Sequence, residues 1–307
     1  MKHYVIGIDH GYGYVKTASS IMQSGVSRQV AKPYFQDDVL EYDGGIYIVG
    51  QDRAEHQTVK TSTNEYYLLT LAAMAKELAL KSGGTEGIKA SVTLGAGLPY
   101  AFMESQGKGF RDYLVKNQHV VYWFEGRKFD ITIENVYLFP QGFAVIYNRI
   151  KADTSICAID IGSRTVDLIS FYRGRAKHET CATLDKLGTL DCIKNMRRAL
   201  TEGCQITPPE ELLQDFMQGD ISPRLTKDQR TMLTGIIEQY IEDIFLQIET
   251  YGIDLQYDQC VICGGGALAA KNFGRRKNIN VEYILDIHAN AKGFEHLAST
   301  MENSAKR

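Results

Sequence analysis

Apolar positions along the chain follow two patterns. Short continuous runs alternate with longer stretches in which apolar residues recur every three or four positions. Tyr4-Val5-Ile6-Gly7-Ile8 reads as a buried strand that turns at Asp9-His10-Gly11-Tyr12-Gly13. Residues 46–50, 90–95 and 131–139 predict further strands. Between them, apolar residues at 68, 71, 72, 75, 78 and 79 form one helical face over 64–81, and Gly83-Gly84 ends it. Pro140 breaks the strand before it, and a helix is expected from about 141 to 150. A second block opens with a strand at 155–161, the turn Gly162-Ser163-Arg164-Thr165 and a hairpin partner at 166–172. Helices are expected over 190–200 and after Thr226, where Thr226 and Gln229 stand at capping-box spacing. A strand at 260–263 runs into Gly264-Gly265-Gly266, and a last helix covers about 291–301.

Strands and helices mix throughout, so the fold class is α/β with a boundary near residue 150. Each half opens on one unit: an apolar strand, an aspartate, a glycine-bearing turn and a second β-rich stretch. Ile6-Gly7-Ile8-Asp9-His10-Gly11 matches Ala158-Ile159-Asp160-Ile161-Gly162 in this sense. Two such units predict two similar sheets.

Composition narrows the function. Apolar residues at 44% of 307 can bury a sizeable core, and a net charge of −3 argues against a general binder of nucleic acid or anionic membrane. The clusters Arg197-Arg198 and Arg275-Arg276-Lys277 read as solvated surface. No secretory pattern and no apolar run long enough to span a bilayer is seen, so a cytoplasmic protein is expected. The six cysteines lack short paired spacings, and Cys260 and Cys263 sit on opposite faces of a strand. They read as structural thiols.

Several chemistries lack their motifs. There is no Walker-A loop, no third glycine after Gly11-Tyr12-Gly13 for a dinucleotide fingerprint, no zinc-ligand spacing among the histidines and no nucleophile elbow. What remains is the duplicated loop. A carboxylate at the end of a buried strand is costly to desolvate without a facing cation or donors, and a glycine turn lets backbone N–H groups approach an anion. Either loop alone reads equally as a β-turn with a capping aspartate. As a pair they can clamp a polyphosphate, with Asp9 and Asp160 holding Mg2+ directly or through water. Lys16 and Thr165 can add donors. Gly264-Gly265-Gly266 either lets a ring or phosphate lie on bare backbone or simply makes a tight strand-to-helix turn. Gln141 can orient a water for in-line attack or be an ordinary helix-start residue.

Five segments, in order, resemble the landmarks of the actin, hexokinase and heat-shock-chaperone ATPase superfamily. Ile8 to Lys16 is similar to its first phosphate loop, and Pro140-Gln141-Gly142-Phe143-Ala144 to its first connecting helix. Ile159-Asp160-Ile161-Gly162-Ser163-Arg164-Thr165-Val166-Asp167 is similar to the second phosphate loop, Val261-Ile262-Cys263-Gly264-Gly265-Gly266-Ala267 to the adenosine motif, and Asn290-Ala291-Lys292-Gly293-Phe294 to the second connecting helix. Gly97-Leu98-Pro99, Lys186-Leu187-Gly188 and the final motif most resemble the bacterial ParM/StbA-type plasmid-segregation actins and their archaeal relatives.

The resemblance implies an actin-like (ribonuclease-H-like) two-domain fold with ATP, or GTP, and Mg2+ in the interdomain cleft. It implies one domain at 1–150, completed by a helix at about 288–307, and a second at 151–287. It further implies filaments that turn over by hydrolysis. Asp9 and Asp160 would hold magnesium, Gln141 would position the water, and Gly11, Tyr12, Gly13 and Lys16 would line the first loop. Gly162, Ser163, Arg164 and Thr165 would line the second loop, Asp167 would support it, and Gly264, Gly265, Gly266 and Ala267 would lie against the adenosine. Tyr12 stands where relatives carry a small hydroxylated residue. Arg164 can reach phosphate or a neighbouring subunit, and the adenine-contacting side chains are sought in 206–216. The expected partners are further copies of the chain and a ParR-like DNA-binding adaptor at a filament end, with no broad nucleic-acid or membrane contact. A small-molecule kinase and a non-hydrolysing ATP-binding scaffold are the alternatives on this fold.

Overall fold

A computed structural model describes residues 1–51, 53, 59–83 and 87–305. Gly84, part of the expected helix stop, lies outside them. The chain divides into two compact units, Met1–Ala144 with His288–Arg307 and Val145–Ile287.

The first unit contains β1 (Lys2–His10), β2 (Tyr14–Lys16), β3 (Ile21–Gln23), β4 (Val26–Gln29), β5 (Val39–Tyr42), β6 (Gly45–Val49), α1 (Glu65–Ser82), β7 (Ile88–Leu98), α2 (Met103–Leu114), β8 (His119–Phe124) and β9 (Arg127–Pro140). The short α3 (Phe143–Ile146) leads out of it. The second unit contains β10 (Ser155–Ile161), β11 (Thr165–Tyr172), β12 (Arg175–Ala176), β13 (Ala182–Asp185), α4 (Thr189–Cys204), α5 (Glu210–Met217), α6 (Lys227–Thr250), β14 (Gln259–Cys263), α7 (Ala267–Phe273) and β15 (Val281–Tyr283). The chain then returns to the first unit as α8 (Ala289–Ala305).

Among the described residues the first sheet runs β3-β2-β1-β7-β9-β8-β5-β6-β4, and the second runs β12-β11-β10-β14-β15 with β13 beside β11. Both are built the same way around the aspartate strands. β1 pairs antiparallel with β2 and parallel with β7, while β10 pairs antiparallel with β11 and parallel with β14. Parallel strands covered on both faces must be apolar throughout. Accordingly Ile6 and Ile8 in β1, and Ile159 and Ile161 in β10, are fully buried.

Helix ends obey local chemistry. Gly83 closes α1 in the left-handed conformation (φ 65°), which costs glycine nothing. The expected face of α1 is buried apart from the half-buried Ala79, and so are Tyr66, Tyr67, Leu69, Ala73 and Met74, because α1 packs on β1 and β7 and also against α2, β4 and β6. Thr226 and Gln229 form the expected capping box at the start of α6, whose stripe Leu233, Ile237, Tyr240, Ile241, Ile244 and Ile248 enters the second core.

The helix expected over 141–150 is not continuous. Gly142 adopts φ 81°, so Gln141 and Gly142 form a turn, and only α3 and a 3-10 turn at Tyr147–Arg149 follow. The six cysteines are free thiols. Burial pushes Cys157 and Cys192 up to about 12, as suits inert core thiols. No described helix is long and apolar enough to cross a membrane.

Helix α8 lies very close to the first sheet. A Cβ on Gly7 of β1 would stand 1.8 Å from the Ala291 carbonyl oxygen, and one on Gly95 of β7 would stand 2.3 Å from that of Phe294. These glycines let the helix backbone rest directly on the strands.

Candidate functional site

In the first unit, β1 delivers Asp9 and His10 to its C-terminal end, both buried. Across the hairpin Asp9 pairs with Lys16 and His10 with Val15. The connecting turn needs glycine at position 11, since a Cβ there would lie 2.6 Å from the Tyr14 carbonyl oxygen. Its carbonyls are engaged by side chains. The Ser24 hydroxyl donates to the Gly11 oxygen at 2.7 Å, and the Lys60 ammonium donates to the His10 oxygen. Lys60 is buried, and its charge lies 4.9 Å from the Tyr12 ring centroid and 5.3 Å from that of Tyr66, within cation–π range. Burial, and then the Lys60 charge, push the His10 imidazole down to about 3, so it is neutral near pH 7.

The Asp9 carboxylate is the focus of this half. Gln141 Nε2 donates to Asp9 Oδ1 at 2.9 Å, and Lys16 Nζ lies 3.8 Å from Oδ2. Gln141 is fixed by its backbone: its N–H donates to the Leu98 carbonyl at 2.9 Å. The next N–H, of Gly142, donates to Asn290 Oδ1 on α8 at 3.0 Å. The structure thus brings Asp9, Lys16 and Gln141 together beside Gly11, Tyr12 and Gly13.

The second unit repeats the hairpin. Asp160 pairs with Asp167 and Ile161 with Val166, so an offset of 151 residues maps one hairpin onto the other without a register change. The Gly162 N–H donates to the Thr165 carbonyl at 2.9 Å, and a Cβ on Gly162 would meet that oxygen at 3.2 Å. Asp167, in the place of Lys16, accepts from the Thr165 hydroxyl at 3.0 Å and the Thr183 hydroxyl at 2.5 Å. The Thr165 hydroxyl proton is therefore committed to Asp167. Arg164 forms a two-pronged pair with Asp185, with Nε 2.8 Å from Oδ1 and Nη2 2.9 Å from Oδ2.

The start of α4 holds the loop from below. The N–H groups of Gly188, Thr189 and Leu190 donate to the carbonyls of Arg164, Gly162 and Ser163 at 2.9, 3.0 and 2.9 Å. A side chain at Gly188 would strike the Arg164 nitrogen at 2.2 Å. Carbonyls held this way turn away from any anion at the loop, which suits a phosphate cradle.

The glycine triplet joins the same half-site. Gly264 has φ 85°, and a Cβ there would stand 2.2 Å from Asp160 Oδ1. Gly266 donates its N–H to the Ile161 carbonyl at 2.9 Å, and a Cβ on it would meet Ile161 Cγ2 at 2.2 Å. A Cβ on Gly265 would meet nothing within 4 Å, so this backbone borders open space. Ala267 is buried and opens α7. The stretch 206–216 ends in α5, and the following Gln218 donates its amide to the Gly265 carbonyl at 3.3 Å.

Each unit by itself carries groups of the kind a nucleotide and its cation need: a buried aspartate, a lysine and a glycine turn in the first, and a buried aspartate, a glycine turn and an uncovered glycine backbone in the second. Sequence reasoning missed Lys60, Ser24, Asn290 and Asp185. Asn290 stood in a recognised motif without a role, whereas Lys60 carried no signal at all.

Comparison with known proteins bears on this geometry. Residues 7–143 match the family model described as the actin-like proteins N-terminal domain. An archaeal actin homolog, Ta0583, superposes with a TM-score of 0.77 at 20% identity, covering 97% of this chain and 99% of that one. The chain has an actin-like fold. The ParM of a 15-stranded filament from Clostridium botulinum gives a TM-score of 0.77 at 20% identity, over 98% of this chain and 100% of that one. The psk41 ParM gives 0.70 at 15% identity over the full length of both. The ParM-type actin-like resemblance drawn from the motifs therefore holds. The archaeal actin homolog has also been solved in complex with ADP. No curated protein matches this chain by sequence.

Proposed function

We propose that this actin-like chain is an ATPase that assembles into filaments with Mg-ATP and turns them over by hydrolysis, serving plasmid DNA segregation in the cytoplasm. The observation that carries the reading is the pair of hairpins in identical register, each ending a buried strand in an aspartate and a glycine turn. The ADP complex of the archaeal homolog and the filaments of the ParM and Alp12 relatives support it.

In this reading the two loops grip one nucleotide, with ATP favoured and GTP a candidate. Bound Mg2+ supplies charge neutralisation at the phosphates and is held by Asp9 and Asp160, directly or through water. Lys16 contacts phosphate as a point charge. Gln141 cannot accept a proton as a base, so it orients the attacking water, and its bond to Asp9 sets its angle. The backbones of Gly162, Ser163, Arg164 and Thr165 offer their N–H face to phosphate, and Asp167 locks the turn from behind. The Arg164 side chain serves the loop through Asp185. Gly264, Gly265, Gly266 and Ala267 form the floor under the adenosine. Copies of the chain are the first partner and a ParR-like DNA-binding adaptor the second. With a net charge of −3 on each chain, the filament makes no broad direct contact with nucleic acid.

Light scattering with simultaneous phosphate release tests this on adding Mg-ATP to wild type and Asp160→Ala. The expected result is a scattering rise with phosphate release, both lost in the variant. Phosphate release without scattering would indicate a monomeric enzyme, and neither signal would indicate a binding scaffold.

A further inference from the structure

Three potential metal ligands converge in the first unit, with His3 at the start of β1, the strand whose other end carries Asp9. His3 lies on β1, Glu134 on β9 and Glu302 in the last turns of α8, and one ligand atom from each lies within 4.8 Å of the others. None of them takes part in the hairpin described above. Glu302 is 7% exposed. A buried carboxylate beside a second carboxylate and an imidazole is an environment that favours a cation.

Two further features show that this group is built rather than accidental. His3 Nε2 lies 3.1 Å from Glu302 Oε2, while its other nitrogen, Nδ1, hydrogen-bonds to the Ser91 hydroxyl at 2.9 Å. A metal-ligating imidazole is typically oriented by such oxygen partners at its ring nitrogens. Glu302 is held likewise, since its Oε1 accepts from the Thr93 hydroxyl at 2.5 Å. Ser91 and Thr93 are both buried and lie two apart on β7, so they point to one face. The other feature is in β9. Val92 pairs with Ile133 but Thr93 pairs with Asn135, which leaves Glu134 as the extra residue of a β-bulge. A bulge re-aims a side chain, and here it brings Glu134 Oε2 to 3.5 Å from His3 Nδ1, while Glu302 approaches Nε2.

We infer that His3, Glu134 and Glu302 form a site for a borderline divalent cation of the zinc class. One nitrogen and two carboxylate oxygens are a three-ligand set that leaves a fourth position for water. Magnesium is disfavoured, because it prefers an all-oxygen octahedral shell. The site ties the start of β1 and the bulge of β9 to the end of α8, so it acts as a staple on the first unit rather than in hydrolysis.

Zinc titration of the nucleotide-free full-length protein, with a competing chromophoric chelator, tests the site against H3Q and E134Q. Glu134 is exposed, so E134Q keeps the fold. We expect one zinc per chain, at least tenfold weaker binding in each variant, and unchanged binding in Asp9→Asn. Cobalt in place of zinc should show ligand-field absorption without a thiolate charge-transfer band. Absence of stoichiometric zinc would overturn the inference. So would zinc held equally by H3Q and E134Q, or a thiolate band, either of which would place the metal elsewhere.

Discussion

Lys16 faces Asp9 across the first hairpin with its ammonium 3.8 Å from the carboxylate, a gap wide enough for both groups to keep bonding capacity for a third. At the matching position in the second hairpin stands Asp167, fully engaged by two threonine hydroxyls. The two loops therefore differ in charge by design: the first offers a cation, the second backbone. Lys16→Met should weaken nucleotide binding by about tenfold to a hundredfold, as loss of a charged hydrogen bond does. Asp167→Asn should act on stability first. Calorimetric titration with ATP, paired with urea unfolding, separates the two outcomes.

Neighbouring glycines predict opposite behaviours. Gly264→Ala puts a methyl against Asp160 in a left-handed backbone and should cost about 2 kcal/mol or more in urea unfolding. Gly265→Ala meets no atom and should leave stability within about 0.5 kcal/mol of wild type. If that backbone supports the nucleotide, the same variant should bind ATP more weakly.

His10 gives a pH dependence whose sign is fixed. Its folded value is about 3, against 6.5 for an ordinary histidine. The unfolded chain therefore binds a proton that the folded chain refuses. Stability from this group is complete above pH 6.5 and falls away as the pH drops toward 3. Between pH 7.5 and 5 wild type should lose about 2 kcal/mol from this source. Chemical denaturation of wild type and His10→Gln at both values checks it, since the variant should lack that loss.

The capping box of α6 offers a control remote from the loops. The Thr226 hydroxyl accepts from the Gln229 N–H at 3.3 Å, and the Thr226 N–H donates to the Gln229 side chain at 2.9 Å. Thr226→Ala should cost about 1 kcal/mol of unfolding free energy and leave nucleotide binding unchanged.

Much of this was legible in the chain because it rests on short-range pattern. The apolar runs ending at Asp9 and Asp160, the turn glycines and the Thr226–Gln229 spacing each depend on neighbours a few residues away. What escaped depends on partners brought in by the fold. Lys60 stands in a polar stretch with no signal of its own, yet burial beside Tyr12 and Tyr66 makes it a support of the first loop. Arg164 is captured by Asp185, which arrives on β13. The bulge at Glu134 is a pairing slip that one strand's sequence does not reveal. The expected helix at 141–150 does not form as one piece because Gly142, with a φ of 81°, serves a turn beside Gln141, whose amide reaches Asp9.

The closeness of α8 to Gly7 and Gly95 also sets an order of events on the ribosome. The second unit is one contiguous segment, so all of it is translated before α8. The first unit, begun earlier, must wait with two strands uncovered until α8 arrives. Only then does Asn290 reach Gly142 and set the turn that carries Gln141. A nascent chain therefore holds every residue of the loop around Asp160 before it holds the asparagine that sets the glutamine beside Asp9.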